Sequence, residues 1–456
     1  MARKVASKED HQWLFREAPV WHAIFHMAIP AMISMLVVLL YNMADMFFVG
    51  RIGDNAQVAA VSLVSPIFTL TMAMGSLLGG GGSAVIARTL GQQDAKKVQC
   101  YSSLCCWASL IFGGIFGFVL LLGAETVLGL LGANAEIWGY AHTYMSILAV
   151  GAPIMIFTSA YGNIIRAEGA VRQAMRGNLM STITNIVLDP IFILRLNMGV
   201  GGAAAATVIG NVVGAAYIIR YVRKESTTLS FALKDAMQKP SEIGTILVTG
   251  LPNATSNTLT SVANAVANNL LVPFGTVAVA AQAASGKSTM MISMIQMGLC
   301  MGIQPLMAYN YGARNTKRLQ EIIRKIAILT LSVGVGLMLF CSVNSYFVIN
   351  LFLKDPEALE LGQRMIRLRV LTGPFLGMFY ISTNFLQASG KPETATFVSL
   401  LRQGILLLPM LFVMNQLFGV TGNICAHIAA DIGAAFMAVI FAVRQYRSQS
   451  APKDSL

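Results

Sequence analysis

Twelve apolar stretches, separated by short polar breaks, dictate the fold class of this chain. They lie near 23–49, 56–86, 101–123, 138–165, 177–197, 200–221, 244–272, 277–308, 326–348, 368–387, 395–416 and 420–443. A helix crosses a bilayer with about 20 predominantly apolar residues, so each stretch is long enough to span. The longer ones must tilt or protrude from the hydrocarbon. Only 11% of the residues are charged, against about 25% in soluble globular chains. An all-α polytopic membrane protein is predicted.

The formal net charge of +12 would suit a nucleic-acid partner, but its distribution excludes one. With the N-terminus inside, 25 of the 32 Lys and Arg fall in the inside segments 1–22, 87–100, 166–176, 220–243, 310–325, 389–402 and 444–456. The outside segments hold six, namely Arg51, Arg195, Lys354, Arg364, Arg367 and Arg369, and Lys287 falls within a helix. Basic residues favour the cytoplasmic side. Both termini are therefore expected in the cytoplasm, in the plasma membrane of a prokaryote. The start MARKVASKED has no apolar core with a cleavage site, so no signal peptide is expected. The six cysteines show no metal-ligand spacing, and no disulfide is expected.

Shifting the sequence by about 221 residues superposes its landmarks. Pro30 and Asn42 meet Pro252 and Asn264 at offset 222; Ala87, Gly91 and Lys96 meet Ala308, Gly312 and Lys317 at 221. Pro153, Asn163 and Gly169 meet Pro374, Asn384 and Gly390 at 221, and Gly199 and Gly202 meet Gly419 and Gly422 at 220. Ordered matches with so little drift indicate duplication. Six spans per copy is an even number, so both copies enter from one face. Parallel repeats of this kind let transporters rock around a shared central cavity. The expected organisation is a cytoplasmic segment 1–22, a six-helix lobe 23–222, a linker 223–243, a second six-helix lobe 244–443 and a tail 444–456.

What the copies do not share locates the chemistry. Asp45 interrupts the first span, where a charge is costly and by default functional; its counterpart at offset 222 is Ala267. Asp189 corresponds to the region of Leu408 to Met410, Asn185 to Ile405 or Leu406, and Thr207 to His427. Asp45, Asp189 and Thr207 come five, six and seven residues from the outer ends at Gly50, Arg195 and Val200. At 1.5 Å per residue they share a layer roughly 7–11 Å deep. Asn185, at i−4 to Asp189, faces the same way one turn deeper. Two carboxylates, an amide and a hydroxyl outline a cation site. Oxygen ligands alone suit a hard ion such as Na⁺; a carboxyl out of water beside a like charge also favours its protonated form, which suits H⁺. The alternative is that Asp189 caps a helix break before Pro190 and Asp45 bonds to nearby backbone.

Other residues are candidates for a substrate cavity. Lys287 would neutralise a carboxylate or line the cavity, unless it snorkels to an interface. His427 and Asp431, one turn apart, would relay protons or touch substrate, unless they serve interhelical bonds. Met290 and Met294 represent the 26 methionines, which suit a pliable apolar pocket. Nothing resembles a phosphate loop, a zinc site or a catalytic triad, so neither an enzyme nor an organic cofactor is expected.

The segments PAMISMLVVLLYNMADMFFVG (30–50), NIIRAEGAVRQAM (163–175), NIVLDPIFI (185–193) and GIQPLMAYNYGARN (302–315) resemble the multidrug and toxic compound extrusion (MATE) family over essentially the whole chain. The resemblance implies twelve helices in two lobes, a central cavity, and export of organic cations coupled to Na⁺ or H⁺. Asp45, Asn185, Asp189 and Thr207 match a first-lobe cation site found in one branch, and Asn163 matches a further polar member. Another branch places acids in the seventh and tenth helices. Here the seventh has none and the tenth offers Asn384, which argues for first-lobe coupling. Small organic cations and the lipid bilayer are the implied partners, and a monomer is expected. A lipid or lipid-linked oligosaccharide flippase of the same superfamily is the alternative; it would need a more cationic cavity than two buried acids provide.

Overall fold

The computed structural model describes residues 13–52, 54–350, 353 and 355–450. Residues 1–12 of the expected N-terminal segment, residues 451–456 of the tail, and Lys354 lie outside them. Among the described residues there is no strand. That is what hydrocarbon demands of an open chain, since a helix pairs its backbone groups within one segment.

The first copy comprises α1 (Val20–Gly50), α2 (Asn55–Gly91), α3 (Ala95–Leu122), α4 (Ala135–Ala167), α5 (Val171–Asp189) and α6 (Gly199–Lys224). The second has α7 (Ile243–Leu271), α8 (Thr276–Gly312), α9 (Thr316–Val343), α10 (356–388), α11 (392–418) and α12 (420–450). Nine segments among the described residues meet simple length and apolarity criteria for a span. Three expected spans escape for physical reasons. The α7 helix is rich in Asn, Ser and Thr; α10 is interrupted by a 3₁₀ turn at Val370–Thr372; α11 and α12 run together through a kink at Gly419.

Duplication extends to backbone conformation. Left-handed φ angles recur in register: Gln93 (63°) with Arg314 (54°), Gly169 (93°) with Gly390 (76°), and Gly199 (55°) with Gly419 (57°). Helix starts are capped in register too. Asp94 accepts from Lys97 N at 3.1 Å and Asn315 from Arg318 N at 3.2 Å. Likewise Asn134 accepts from Ile137 N at 3.0 Å and Asp355 from Ala358 N at 2.9 Å. Each cap satisfies an otherwise orphaned helix-terminal N–H. The side chains differ between copies, but acceptor and spacing persist.

The chain divides into two compact units, Ile33–Gly250 with the start of the chain to Glu17, and Ala18–Met32 with Leu251 onward. The expected lobes kept α1 and α7 whole. Instead the opening turns of each join the other unit. Glycine permits this. A Cβ on Gly81 of α2 would stand 2.0 Å from the Ile246 carbonyl oxygen of α7, and one on Gly250 would stand 1.7 Å from the Leu77 carbonyl oxygen. In the second unit the repeat partner of Gly81, Gly302 of α8, takes the same role against α1: a Cβ there would meet Met27 O at 2.7 Å. Within the first unit the linker is tied down. Ser102 and Trp107 donate to the carbonyls of Ser230 (3.0 Å) and Phe231 (3.2 Å). Buried Glu168 accepts from Tyr221, from Ser226 at 2.8 Å and from Thr228 at 2.5 Å.

Three arginines counted with the inside and outside segments are buried in helices. Arg166, Arg369 and Arg402 are 3%, 8% and 7% exposed. The basic excess of the inside segments does not depend on them.

Gly250→Leu should lower stability by more than the ~1–3 kcal/mol typical of overpacking, because the obstacle is backbone. Gly114, whose Cβ position meets nothing within 4 Å, should accept Ala with a gain of up to about 1 kcal/mol. Thermal unfolding in detergent measures both. A Gly250→Leu protein melting like wild type would show that the α2–α7 backbones are not in contact.

Candidate cation site

Asp189 is the last residue of α5, and the helix continues past Pro190 as a single wide turn, Pro190–Arg195. Pro190 has no N–H to donate, so the ladder loosens immediately beyond the carboxylate. Asp189 caps nothing there. Its side chain is fully buried and accepts only a long hydrogen bond, from Asn185 Nδ2 at 3.5 Å. The same amide donates to Thr207 Oγ1 of α6 at 3.3 Å. Across from them, Tyr41 Oη and Thr207 Oγ1 share a hydrogen bond of 3.3 Å. Asn185 and Thr207 are 2% and 4% exposed.

Asp45 lies one turn beyond Tyr41 on α1, on the same face. It acts electrostatically on Asp189, and both carboxylates act on Tyr41 and Tyr144. These two tyrosines went unremarked in the sequence. Helical spacing signals Tyr41, which is i−4 to Asp45; nothing local signals Tyr144. Three oxygens of this group are buried with no hydrogen-bond partner, Asp45 Oδ1, Asp189 Oδ2 and Asn185 Oδ1. Every one is an acceptor. A buried acceptor without a donor forfeits its hydration, and carboxylates that sense each other's charge repel. One small cation or shared proton answers both deficits.

An apolar cluster including Val49, Ala60, Val64, Tyr144, Ile193 and Ala203 packs about this layer of the first lobe. The α6 helix is fixed at its start by Gln57, whose Oε1 accepts from Val200 N at 3.0 Å. The second lobe has no such site at matching positions. Ala267, the counterpart of Asp45, sits in a dry cluster with Ala263, Leu407, Leu411 and Ala426.

The remaining candidates disperse. Asn163 donates to Ser159 O of its own helix at 3.0 Å and accepts from Arg166 at 3.2 Å; no hydrogen bond joins it to the Asp45 group. Asp431 is paired with Arg402 at 2.7 Å, so it offers no free carboxylate. His427 is buried, with Nε2 unpartnered. Lys287 and Met290 are exposed and Met294 is half-buried on α8.

Comparison with known proteins agrees with this architecture. The sequence matches the MatE family twice, over residues 30–191 and 252–413, so the second match begins 222 residues after the first. It is 30% identical over 433 residues to multidrug export protein MepA of Staphylococcus saprophyticus, covering 95% of this chain and 96% of that protein. It is 31% identical over 436 residues to multidrug export protein MepA of Staphylococcus aureus strain NCTC 8325, with the same coverages, 95% and 96%. Among solved structures it resembles an outward-facing multidrug resistance MATE family transporter of the MOP superfamily, with a TM-score of 0.90 and 25% identity over 96% of this chain and 98% of that one. Two family matches in repeat register, a full-length likeness to multidrug exporters and a shared twelve-helix fold have one meaning: the chain belongs to the MatE family of transporters.

Proposed function

We propose that this protein is an ion-coupled multidrug antiporter. It exports lipophilic organic cations by alternating access across the cytoplasmic membrane of a prokaryote, with both termini inside. The observation that carries this reading is the set of unpartnered acceptor oxygens on Asp45, Asp189 and Asn185 beside the Tyr41–Thr207–Asn185 hydrogen bonds. The names of the similar Staphylococcus proteins support multidrug substrates. The two buried acids favour export of cations over the flippase alternative, whose phosphate-bearing substrates need positive charge.

In the proposed cycle an organic cation enters from the cytoplasm, held by apolar, aromatic and methionine contacts to which Met290 and Met294 contribute. After the switch outward, H⁺ or Na⁺ enters the first lobe. The ion sits between the carboxylates of Asp45 and Asp189, with Asn185 Oδ1 and Thr207 Oγ1 as further oxygen ligands where it is Na⁺. Neutralising the pair disfavours the bound cation or bends α1, and the drug leaves. The ion-loaded lobe then permits return. Tyr41 sets the orientation of the Thr207 hydroxyl. One-for-one exchange of cation for cation moves no net charge, so the ion's concentration gradient drives it; each further ion per drug adds about 2.3 kcal/mol at 100 mV, roughly a fortyfold concentration ratio. No ATP-binding element is required.

Purified protein in liposomes, with pH and Na⁺ gradients imposed separately and ethidium as substrate, tests the reading. Asp45→Asn should abolish gradient-driven efflux while the protein stays folded and inserted. Wild-type rates in that variant would overturn the proposal. Thr207→Val should impair a Na⁺-driven cycle more than a proton-driven one, since a proton needs no hydroxyl ligand. Equal rates under both gradients would reduce Thr207 to a packing residue.

A binding measurement complements transport. If the coupling ion is Na⁺, adding it to protein in detergent at about a hundred times its Kd should stabilise the fold by ~2.7 kcal/mol through mass action. Asp189→Asn should erase that gain. A protein indifferent to Na⁺ under all conditions, but driven by a pH gradient, would assign the site to H⁺.

A further inference from the structure

The second lobe carries a buried group of the opposite sign. Arg369 ends the helix Pro356–Arg369, immediately before the 3₁₀ turn of α10. It is 8% exposed, and its Nη1 is buried with no hydrogen-bond partner. Arg402 lies in the wide turn Leu401–Leu406 of α11. Its guanidinium sits 4.7 Å from the Phe379 ring centroid, and its Nε donates to Asp431 at 2.7 Å. Both arginines act electrostatically on His427, and Asp431 acts on both arginines. His427 Nε2 is buried and unpartnered as well.

Two guanidiniums thus face one carboxylate, and that carboxylate is engaged by Arg402. An isolated buried charge is costly unless a counter-charge arrives. Room for one lies against Arg369. A Cβ built on Gly286 of α8 meets only Arg369 Nη1, at 3.8 Å, and no other atom within 4 Å. Gly286 is itself part-exposed, so this space is reachable. One turn earlier on α8, Gln282 is buried with Oε1 unpartnered, and its amide turned over would add a donor. The repeat sharpens the contrast. His427 and Asp431 stand where the first lobe has Thr207 and Asn211. The first lobe lacks donors for its acceptors; here donors lack an acceptor.

We propose that the second lobe contains an anion site centred on Arg369, with His427 beside it. Its ligand is a small monovalent anion that accepts from the free guanidinium edge, either a halide or a carboxylate carried by a larger molecule. Asp431 and Arg402 position the group without binding the anion. Planar guanidinium suits this role, because its fixed fork recognises such acceptors directionally.

The test uses full-length protein in detergent, with the unfolding midpoint titrated against sodium chloride or sodium acetate. Sodium sulfate balances the mixtures so that Na⁺ stays constant. A saturable rise is expected with at least one of the two probes. Chloride alone would identify a halide site, acetate alone a carboxylate site, and both the shared chemistry. Arg369→Gln should weaken the apparent affinity by about tenfold or more, the loss of a charge-assisted hydrogen bond. Should that variant fail to fold, Gly286→Val fills the space without removing a charge and should remove the response. No saturable rise with either anion, or an unchanged titration in Arg369→Gln or Gly286→Val, overturns the proposal.

Discussion

A carboxylate inside a bilayer must find a donor, a proton or a cation. The first lobe of this transporter withholds the donors. Asp189 accepts a single long bond from Asn185, and Asp45 Oδ1 accepts none. One hydrogen bond links the hydroxyls of Tyr41 and Thr207, and neither is bonded to a carboxylate among the described residues. Satisfying these oxygens from the protein would have needed only an arginine or a further amide. Their absence leaves these oxygens without donors, the feature on which the proposed ion coupling rests.

Duplication supplies the frame and divergence the function. Both copies repeat the same left-handed residues and the same helix caps, so the scaffold is held by interactions indifferent to transport. Where the first copy has Asp45 and Asp189, the second packs alanine and leucine, while His427 stands in place of Thr207. The second copy's own polar group, around Arg369 and Arg402, has the reverse charge. One frame therefore carries two groups of unpartnered buried atoms, acceptors in the first copy and a guanidinium nitrogen with an imidazole nitrogen in the second. The close glycine crossings of α2 with α7 and of α8 with α1 also repeat, which ties the opening turns of α1 and α7 to helices of the opposite copy.

Much of this was legible in the sequence because it rests on local, periodic or repeated signals. Apolar run lengths marked the spans, and the constant offset marked the copies. Depth along each helix brought Asp45, Asp189 and Thr207 to one layer, and i, i+4 spacing added Asn185. Other features depend on rotation about the helix axis, which run length does not report. Asn163 lies on a spanning helix as expected, but its amide turns back to Ser159 and Arg166. Arg369 and Arg402 count with the flanking charges because they sit near the ends of apolar runs. Helical structure extends past those ends, through a 3₁₀ turn and a wide turn, and buries them. Tyr41 was hidden for the opposite reason: an aromatic residue in an apolar run looks like core until its hydroxyl partner is seen.

Infrared difference spectroscopy on the purified protein tests most directly whether Asp45 and Asp189 share one small cation. Exchange from Na⁺-free to Na⁺-containing buffer should remove one protonated-carboxyl band in the wild type. Asp45→Asn and Asp189→Asn should each abolish that change, because a shared ion requires both acids. A band that persists unchanged through the exchange and through both substitutions would contradict a common site.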